Sequence, residues 1–375
     1  MPLFGSTGES FVGVDIGASS IKVVELKKHQ NKVALVTYGF SDRLSSNYGD
    51  SNKLDLKYVT SSLESIIRKS SVTSKNVIAS LPTFAVFSSI INLGGNLSEK
   101  DLSLSINWEA KKVIPLPLED IVLDWQRIDE PELLAPKPGQ DQTPKDSKIA
   151  TAPVVGAPAP KKPTTNRVLL IGAPKNLIKS YAYTFKSLRL NLVSLETEVF
   201  GLIRSLIGSD KATIMLIQMG ANSTNIFIVD KGIPLLSRSI DVGGLAITKA
   251  ISKNLNISLE KAEQFKYDLI SHGAGSDLPK PVIEAMAPIL NEAKYVLGAF
   301  SSKENQEIER VILSGGSSLL QGLPEYFSTL LEKNVVVGDP WFRVAYPAEL
   351  KPVLDQIGPR MSVAIGLAMR EFDKK

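Results

Sequence analysis

Val14-Asp15-Ile16-Gly17-Ala18-Ser19-Ser20 and Ile217-Gln218-Met219-Gly220-Ala221-Asn222-Ser223 carry one pattern twice: an apolar run, a glycine, then small hydroxyl or amide residues. Ile21 to Leu26 and Thr224 to Val229 extend both copies as β-rich runs, so each reads as a hairpin. That excludes the GxGxxG and GxxxxGK[ST] loops, which need a helix to open at their glycines. Two facing hairpins can grip a polyphosphate, because glycine admits an anion close to the backbone and Ser, Thr and Asn supply neutral donors. The plainer alternative is an ordinary hairpin whose glycine takes a positive φ. Either copy alone fits both readings; the matched pair favours the cleft. The second copy has Gln218 where the first has Asp15. An amide serves neither as a carboxylate toward Mg²⁺ nor as a proton acceptor.

Composition narrows the remaining classes. The 375 residues are 43% hydrophobic and 22% charged, which describes a globular chain of two domains or one large divided unit. A net charge of +4, with no long basic cluster and no interleaved aromatic and basic run, argues against nucleic acid as a partner. With no cysteine there is no disulfide framework, zinc ribbon or thiol nucleophile, and an intracellular site is expected. His29 and His272, the only histidines, have no neighbouring ligand and read as surface or loop residues. No apolar run reaches the roughly 18 residues of a membrane span, and Met1 to Gly5 lacks the features of a signal peptide.

Along the chain, Phe11 to Asp15, Ile21 to Leu26 and Lys32 to Tyr38 read as an antiparallel meander, followed by a helix over 56–68 and a buried strand over 76–81. A small α+β unit follows: a strand over 85–93, a helix from Ser98 through Lys112 and a strand over 121–128. Residues 131–166 hold eight of the chain's 22 prolines without amphipathic period and read as a disordered or polyproline-like loop. A strand over 167–172 and a helix over 176–190 complete the insert, before a strand at 192–195 and a helix over 199–206. In the second half a strand over 235–240 leads into Asp241-Val242-Gly243-Gly244, which opens a helix. Glu263 and Lys266 lie on one face of the next helix; a solvated ion pair and a holder of ribose and base edge are equally good readings. Strand 310–313 enters Gly315-Gly316-Ser317, a turn that offers bare backbone N–H groups. A last helix over 361–372 carries Ala364, Gly366 and Ala368, small enough for close packing.

This order of elements resembles the actin, heat-shock-chaperone and sugar-kinase superfamily. Within it the chain is most similar to the PilM family of type IV pilus assembly. The resemblance rests on Phe11 to Leu26 (FVGVDIGASSIKVVEL), Ser237 to Gly244 (SRSIDVGG), Lys261 to Lys266 (KAEQFK), Val311 to Ser317 (VILSGGS), Val363 to Ala368 (VAIGLA), and on Trp108 to Pro115 and Asp124 to Arg127 of the insert. It covers nearly the whole chain outside the Pro-rich stretch. The resemblance implies an α/β, actin-like (ribonuclease H-like) bilobal ATPase fold with an inserted α+β subdomain of the type FtsA and PilM carry. The implied divisions are 1–83 for the first-lobe core, 84–190 for the insert, 191–210 and 345–375 for the connecting helices, and 211–344 for the second lobe.

The same resemblance implies ATP and Mg²⁺ between the lobes. Asp15, Gly17, Ser19, Ser20 and Lys22 then flank the phosphates on one side and Gly220, Asn222, Ser223 and Thr224 on the other. Glu263 and Lys266 hold ribose and adenine, backed by Gly315, Gly316 and Ser317. Glu198 stands where the superfamily orients attacking water, and Asp15, with Gln218 through water, faces the metal. Gln218 in place of the usual Asp predicts ATP binding with slow or absent turnover. The implied partner is the cytoplasmic N-terminal peptide of a PilN-like membrane protein, with the motor ATPases and platform protein of pilus assembly beyond it. The exposed apolar residues of Phe84 to Ile128 are candidates for the peptide groove. The implied role is a cytoplasmic, peripheral adaptor of a type IV pilus or type II secretion-like inner-membrane platform. The alternatives are a small-molecule kinase of the superfamily and an FtsA-like division scaffold; the latter carries an amphipathic membrane helix after the closing helix, which is not expected in this sequence.

Overall fold

In the computed structural model, residues 9–30, 32–42, 56–95, 97–128, 165–271, 278–304 and 306–373 are described. His272 and residues 131–164 of the Pro-rich stretch lie outside them. The chain opens with β1 (Ser10–Ile16), β2 (Ser20–His29), β3 (Lys32–Asp42), α1 (Leu56–Lys69) and β4 (Asn76–Leu81). Then come β5 (Phe87–Gly94), α2 (Glu99–Val113), β6 (Ile121–Arg127), β7 (Thr165–Pro174), α3 (Lys175–Ser187), β8 (Asn191–Thr197) and α4 (Glu198–Leu202). The second half has β9 (Ile214–Met219), β10 (Thr224–Asp230), β11 (Ile233–Ile240), α5 (Gly244–Leu255), α6 (Leu259–Ser271) and α7 (Lys280–Glu304). It continues through β12 (Arg310–Ser314), α8 (Leu323–Leu331), β13 (Asn334–Val337), β14 (Val344–Ala345) and α9 (Lys351–Met369).

These elements form two compact units, Met1–Phe87 with Ala173–Lys375, and Ser88–Gly172. In the first, one sheet runs β14-β3-β2-β1-β4-β8 and another β11-β10-β9-β12-β13. The run β3-β2-β1-β4-β8 repeats as β11-β10-β9-β12-β13: β1 and β9 each pair antiparallel with the next strand and parallel with β4 or β12. The doubled motif is thus the visible part of a doubled topology. Between the sheets lies a layer built from Phe11 and Ile78 of the first, Leu216, Phe227 and Ile312 of the second, and Val199, Leu202, Val363 and Leu367 of α4 and α9. Small residues let these helices cross closely, since a Cβ on Gly366 would lie 1.8 Å from the Gly201 carbonyl oxygen. Tyr181 and Phe185 of α3 pack with Val12, Val14 and Val77 beneath the first sheet.

The last helix starts well before residue 361, at Lys351, with Pro359 inside it. Pro359 forfeits a donor, but its carbonyl accepts from Gly315 N at 2.9 Å and Ser314 Oγ at 3.0 Å, so the interruption anchors another segment. At the other end, Thr83–Ala85 form a 3₁₀ turn after Pro82, and the strand expected from 85 begins at Phe87. No described helix is long and apolar enough to cross a membrane.

The second unit sets α2 beside a sheet of order β5-β7-β6. Leu102, Ile106, Ala110 and Ile114 recur at helical spacing and are buried, while Leu104 and Trp108 on the other side are exposed. Ser98 caps the helix, its hydroxyl accepting from Asp101 N at 3.2 Å. Asn166 ties the sheet together, accepting from Arg127 Nη2 at 2.8 Å and donating to the Gly95 carbonyl at 2.7 Å.

Candidate functional site

The two hairpins close in the same way: Gly17 N donates to the Ser20 carbonyl at 3.0 Å, and Gly220 N to that of Ser223 at 2.9 Å. Neither glycine is among those with positive φ, so the positive-φ reading is corrected. Proximity favours glycine instead: a Cβ would stand 3.1 Å from the Ser20 oxygen at Gly17, a tight contact, and 2.9 Å from the Ser223 oxygen at Gly220, closer than a side chain can sit without a shift. Ser19 and Ser223 are half-buried in these turns, and Ser20 is buried.

Asp15 faces Lys22 across β1–β2, and the ammonium lies 2.9 Å from its Oδ2, while Ser80 Oγ donates to Oδ1 at 3.1 Å. The matching pair across β9–β10 is Gln218 with Asn225, whose amide donates to Gln218 Oε1 at 3.4 Å. The second hairpin therefore repeats the geometry of the first with both charges removed. Asn225 also donates to Glu198 Oε2 at 3.0 Å, and Thr83 Oγ1 donates to the same oxygen at 3.1 Å. Glu198, at the start of α4, is thus held from the strand ends of both sheets. Burial, and after it the Asp15 carboxylate, pushes its pKa from 4.5 up to about 7, against the lowering effects of Thr83, Lys22 and Asn225. Tyr181 lies close by; burial first, then Asp15 and Glu198, push its phenol far upward, and its hydroxyl has no hydrogen-bond partner.

Behind the second hairpin, Gly244 N and Leu245 N at the start of α5 donate to the Gly220 and Ala221 carbonyls, both at 2.9 Å. The first N–H groups of this helix therefore brace the hairpin, and its positive end lies under the turn. Gly243 is needed because a Cβ there would meet the Gly220 oxygen at 2.5 Å. Thr224, fully buried, donates to the Val242 carbonyl at 2.7 Å, so its hydroxyl holds this turn in place.

Glu263 and Lys266 are an ion pair at 2.7 Å, but not one on a solvated face. Lys266 is buried and also donates to Thr248 Oγ1 at 3.0 Å and the Gly244 carbonyl at 3.3 Å. Gly244 brings Ser317 alongside, with a Cβ there 2.7 Å from Ser317 Oγ. Gly315, at φ 89°, lies so close to Met219 that a Cβ would be 2.1 Å from its carbonyl oxygen, whereas Gly316 borders open space. The turn opens into a short 3₁₀ segment, Gly316–Leu319, before α8.

The residues present suit a nucleoside triphosphate. Ser19 and Ser223 are half-buried hydroxyls at the two turns, and Gly316 borders open space. Asn222 Oδ1 and Asn225 Oδ1 are buried acceptors with no partner at the second hairpin, places for a water or hydroxyl donor and not for a phosphate oxygen. The oxygens of Asp15, Gln218 and Ser20 are hard donors of the kind Mg²⁺ takes. Among the described residues no group of three or more His, Cys, Asp or Glu surrounds one point, so a metal at this site would complete its shell with phosphate and water.

Sequence reasoning missed Asn225, Thr83, Ser80 and Tyr181. Asn225 was legible: it follows Gly220 by the interval at which Lys22 follows Gly17.

Comparison with known proteins agrees with this fold. The "PilM–PilN type IV pilus biogenesis complex" is similar at 21% identity and TM-score 0.76, over 97% of this chain and 98% of that one. Ethanolamine utilization protein EutJ of Carboxydothermus hydrogenoformans is similar at 14% identity and TM-score 0.55, over 98% and 92%. Both share the actin-like ATPase fold. The cell division protein FtsA of Rhizobium meliloti (strain 1021) is 25% identical over 237 residues, 53% of this chain and 51% of that protein. The chain thus spans about half the length of the FtsA proteins it matches. The profile of the family described as "Type IV pilus assembly protein PilM" matches residues 13–138 and 154–372. With doubled sheets, doubled hairpins and that match over most of its length, the chain belongs to the PilM family of type IV pilus assembly proteins.

Proposed function

We propose that this chain is a nucleotide-stabilised adaptor of the inner-membrane pilus platform, holding ATP with Mg²⁺ between its hairpins and binding the N-terminal peptide of a PilN-like membrane protein. The observation that carries this reading is the neutral Gln218–Asn225 pair facing the charged Asp15–Lys22 pair. Phosphoryl transfer needs metal neutralisation and a positioned water. In this chain the first hairpin supplies one carboxylate already neutralised by Lys22, and the second supplies none. Gly17, Ser19, Ser20 and Lys22 then contact phosphate from one side and Gly220, Asn222 and Ser223 from the other, with Thr224 bracing the turn. Glu263 and Lys266 take the ribose and base edge, backed by Gly315, Gly316 and Ser317. Glu198 touches both sheets through Thr83 and Asn225, so the groups that would position water also tie the halves together.

Binding to the closed arrangement stabilises it by mass action. On this reading the bound nucleotide acts by fixing the relation between the sheets. The likeness to a PilM–PilN complex supports a PilN-like partner, and exposed Leu104, Trp108, Leu116 and Val122 supply apolar surface for an extended peptide. Membrane association would then run through that partner. Equilibrium titration with ATP, with and without Mg²⁺, tests the nucleotide half of the reading: saturable binding supports it, and no binding at millimolar ATP removes it.

A further inference from the structure

Arg360 lies on α9 immediately after Pro359, whose carbonyl holds the Gly315 turn. Its guanidinium makes an ion pair with Asp42 at the end of β3 and lies 4.4 Å from the Phe40 ring centroid. It also donates through Nη1 to the Tyr267 hydroxyl of α6 at 3.3 Å. Phe40 and Asp42 are two apart on β3 and pair in register with Lys22 and Ser20. Directly opposed residues share a sheet face, so this is the face that carries the Asp15–Lys22 pair. Tyr267 is four residues after Glu263, on the same side of α6. One side chain therefore joins the sheet face of the first hairpin to the helix that carries Glu263 and Lys266. Phe40 and Tyr267 are exposed, and Asp42 is 49% exposed against 15% for Arg360 itself. Glu198 joins the halves deep in the cleft, and Arg360 joins them at the surface.

We propose that Arg360 is a clasp: it holds β3 and α6 together at the rim, and its opening sets the rate at which nucleotide leaves. This rests on the nucleotide-binding reading above. The chemistry suits a clasp that opens. A partly exposed pair is weak singly, while a planar guanidinium that is both stacked and hydrogen-bonded is more than a point charge. Arg360→Lys would keep the charge and lose that planar fork.

The chain has no cysteine, so spin labels can be placed at Lys28→Cys on β2 and Lys253→Cys on α5, both exposed, without removing a native thiol. Two quantities are read on the full chain: the label-to-label distance distribution without nucleotide, and the release rate of a fluorescent ATP analogue. The clasp predicts that Arg360→Ala broadens the distances and speeds release about three- to tenfold, with Tyr267→Phe shifting both the same way and the double variant no further than Arg360→Ala. Unchanged distances and release in both single variants would overturn it, as would strictly additive effects. If Arg360→Ala fails to fold by circular dichroism, Tyr267→Phe, which removes one hydroxyl, decides. If the unsubstituted chain binds no analogue, the nucleotide reading fails, and the distance measurement alone decides whether Arg360 clasps the two elements.

Discussion

Asn225 occupies in the second hairpin the register position that Lys22 occupies in the first: Asp15 faces Lys22 across β1–β2 as Gln218 faces Asn225 across β9–β10. The same fold element is thus charged on one side of the cleft and neutral on the other, and Glu198, bonded to Asn225, sits between them.

Restoring a carboxylate should restore turnover. Gln218→Asp is expected to raise phosphate release from ATP and Mg²⁺ by at least about tenfold, since a correctly placed acid–base or metal-facing group contributes on that scale or above. A continuous phosphate assay at saturating ATP reads it; an unchanged rate would mean that the missing carboxylate is not what limits turnover.

Glu198 gives a pH signature. Its folded pKa of about 7 lies above the unfolded 4.5, so between those values the folded chain binds more protons than the unfolded one. The contribution is complete below about 4.5 and is lost as pH rises through about 7. Glu198→Gln, which keeps an acceptor for Thr83 and Asn225, should remove this loss and stabilise the chain relative to wild type by up to roughly 3 kcal/mol at pH 8. Chemical denaturation of both proteins at pH 5 and pH 8 checks it. Equal differences at the two pH values would count against the assignment.

Much of the fold was legible because its elements are local. Each hairpin is a few consecutive residues with a glycine at a close backbone approach, and the Glu263–Lys266 pair is one helical turn. The missed parts are long-range. Thr83 meets Glu198 across 115 positions and Arg360 meets Asp42 across 318, and no local pattern marks either partner. α9 starts at Lys351, ten residues before the expected 361, and Pro359 lies inside it with its carbonyl accepting from Gly315 and Ser314, long-range partners that no local pattern marks. Tyr181 reads as one more apolar position of α3, and only packing brings it beside Asp15 and Glu198.

The helix crossing gives a stability test with opposite signs at two glycines. Gly366→Ala puts a methyl 1.8 Å from the Gly201 oxygen, while a Cβ on exposed Gly298 in α7 meets nothing within 4 Å. Overpacking should cost Gly366→Ala about 3 kcal/mol or prevent folding, whereas Gly298→Ala should gain about 0.5–1 kcal/mol from helix propensity. Thermal or urea unfolding distinguishes them. Similar behaviour of the two variants would mean that α4 and α9 do not cross this tightly.

Lys266 tests the nucleoside wall. Lys266→Met removes donors to Glu263, Thr248 and Gly244, and ATP affinity is expected to fall at least about tenfold. Calorimetric titration measures this, with unfolding of the apo protein as the control for structural damage. Undiminished affinity would move the nucleoside away from α6.

The most direct test of the adaptor account is one titration series in which a synthetic PilN-type N-terminal peptide is bound with and without ATP and Mg²⁺ while phosphate release is followed. The account predicts saturable peptide binding that tightens when ATP is present, by the same factor with which peptide tightens ATP, and negligible phosphate release throughout. Peptide affinity indifferent to ATP, or brisk release of phosphate by the unsubstituted chain, would contradict it.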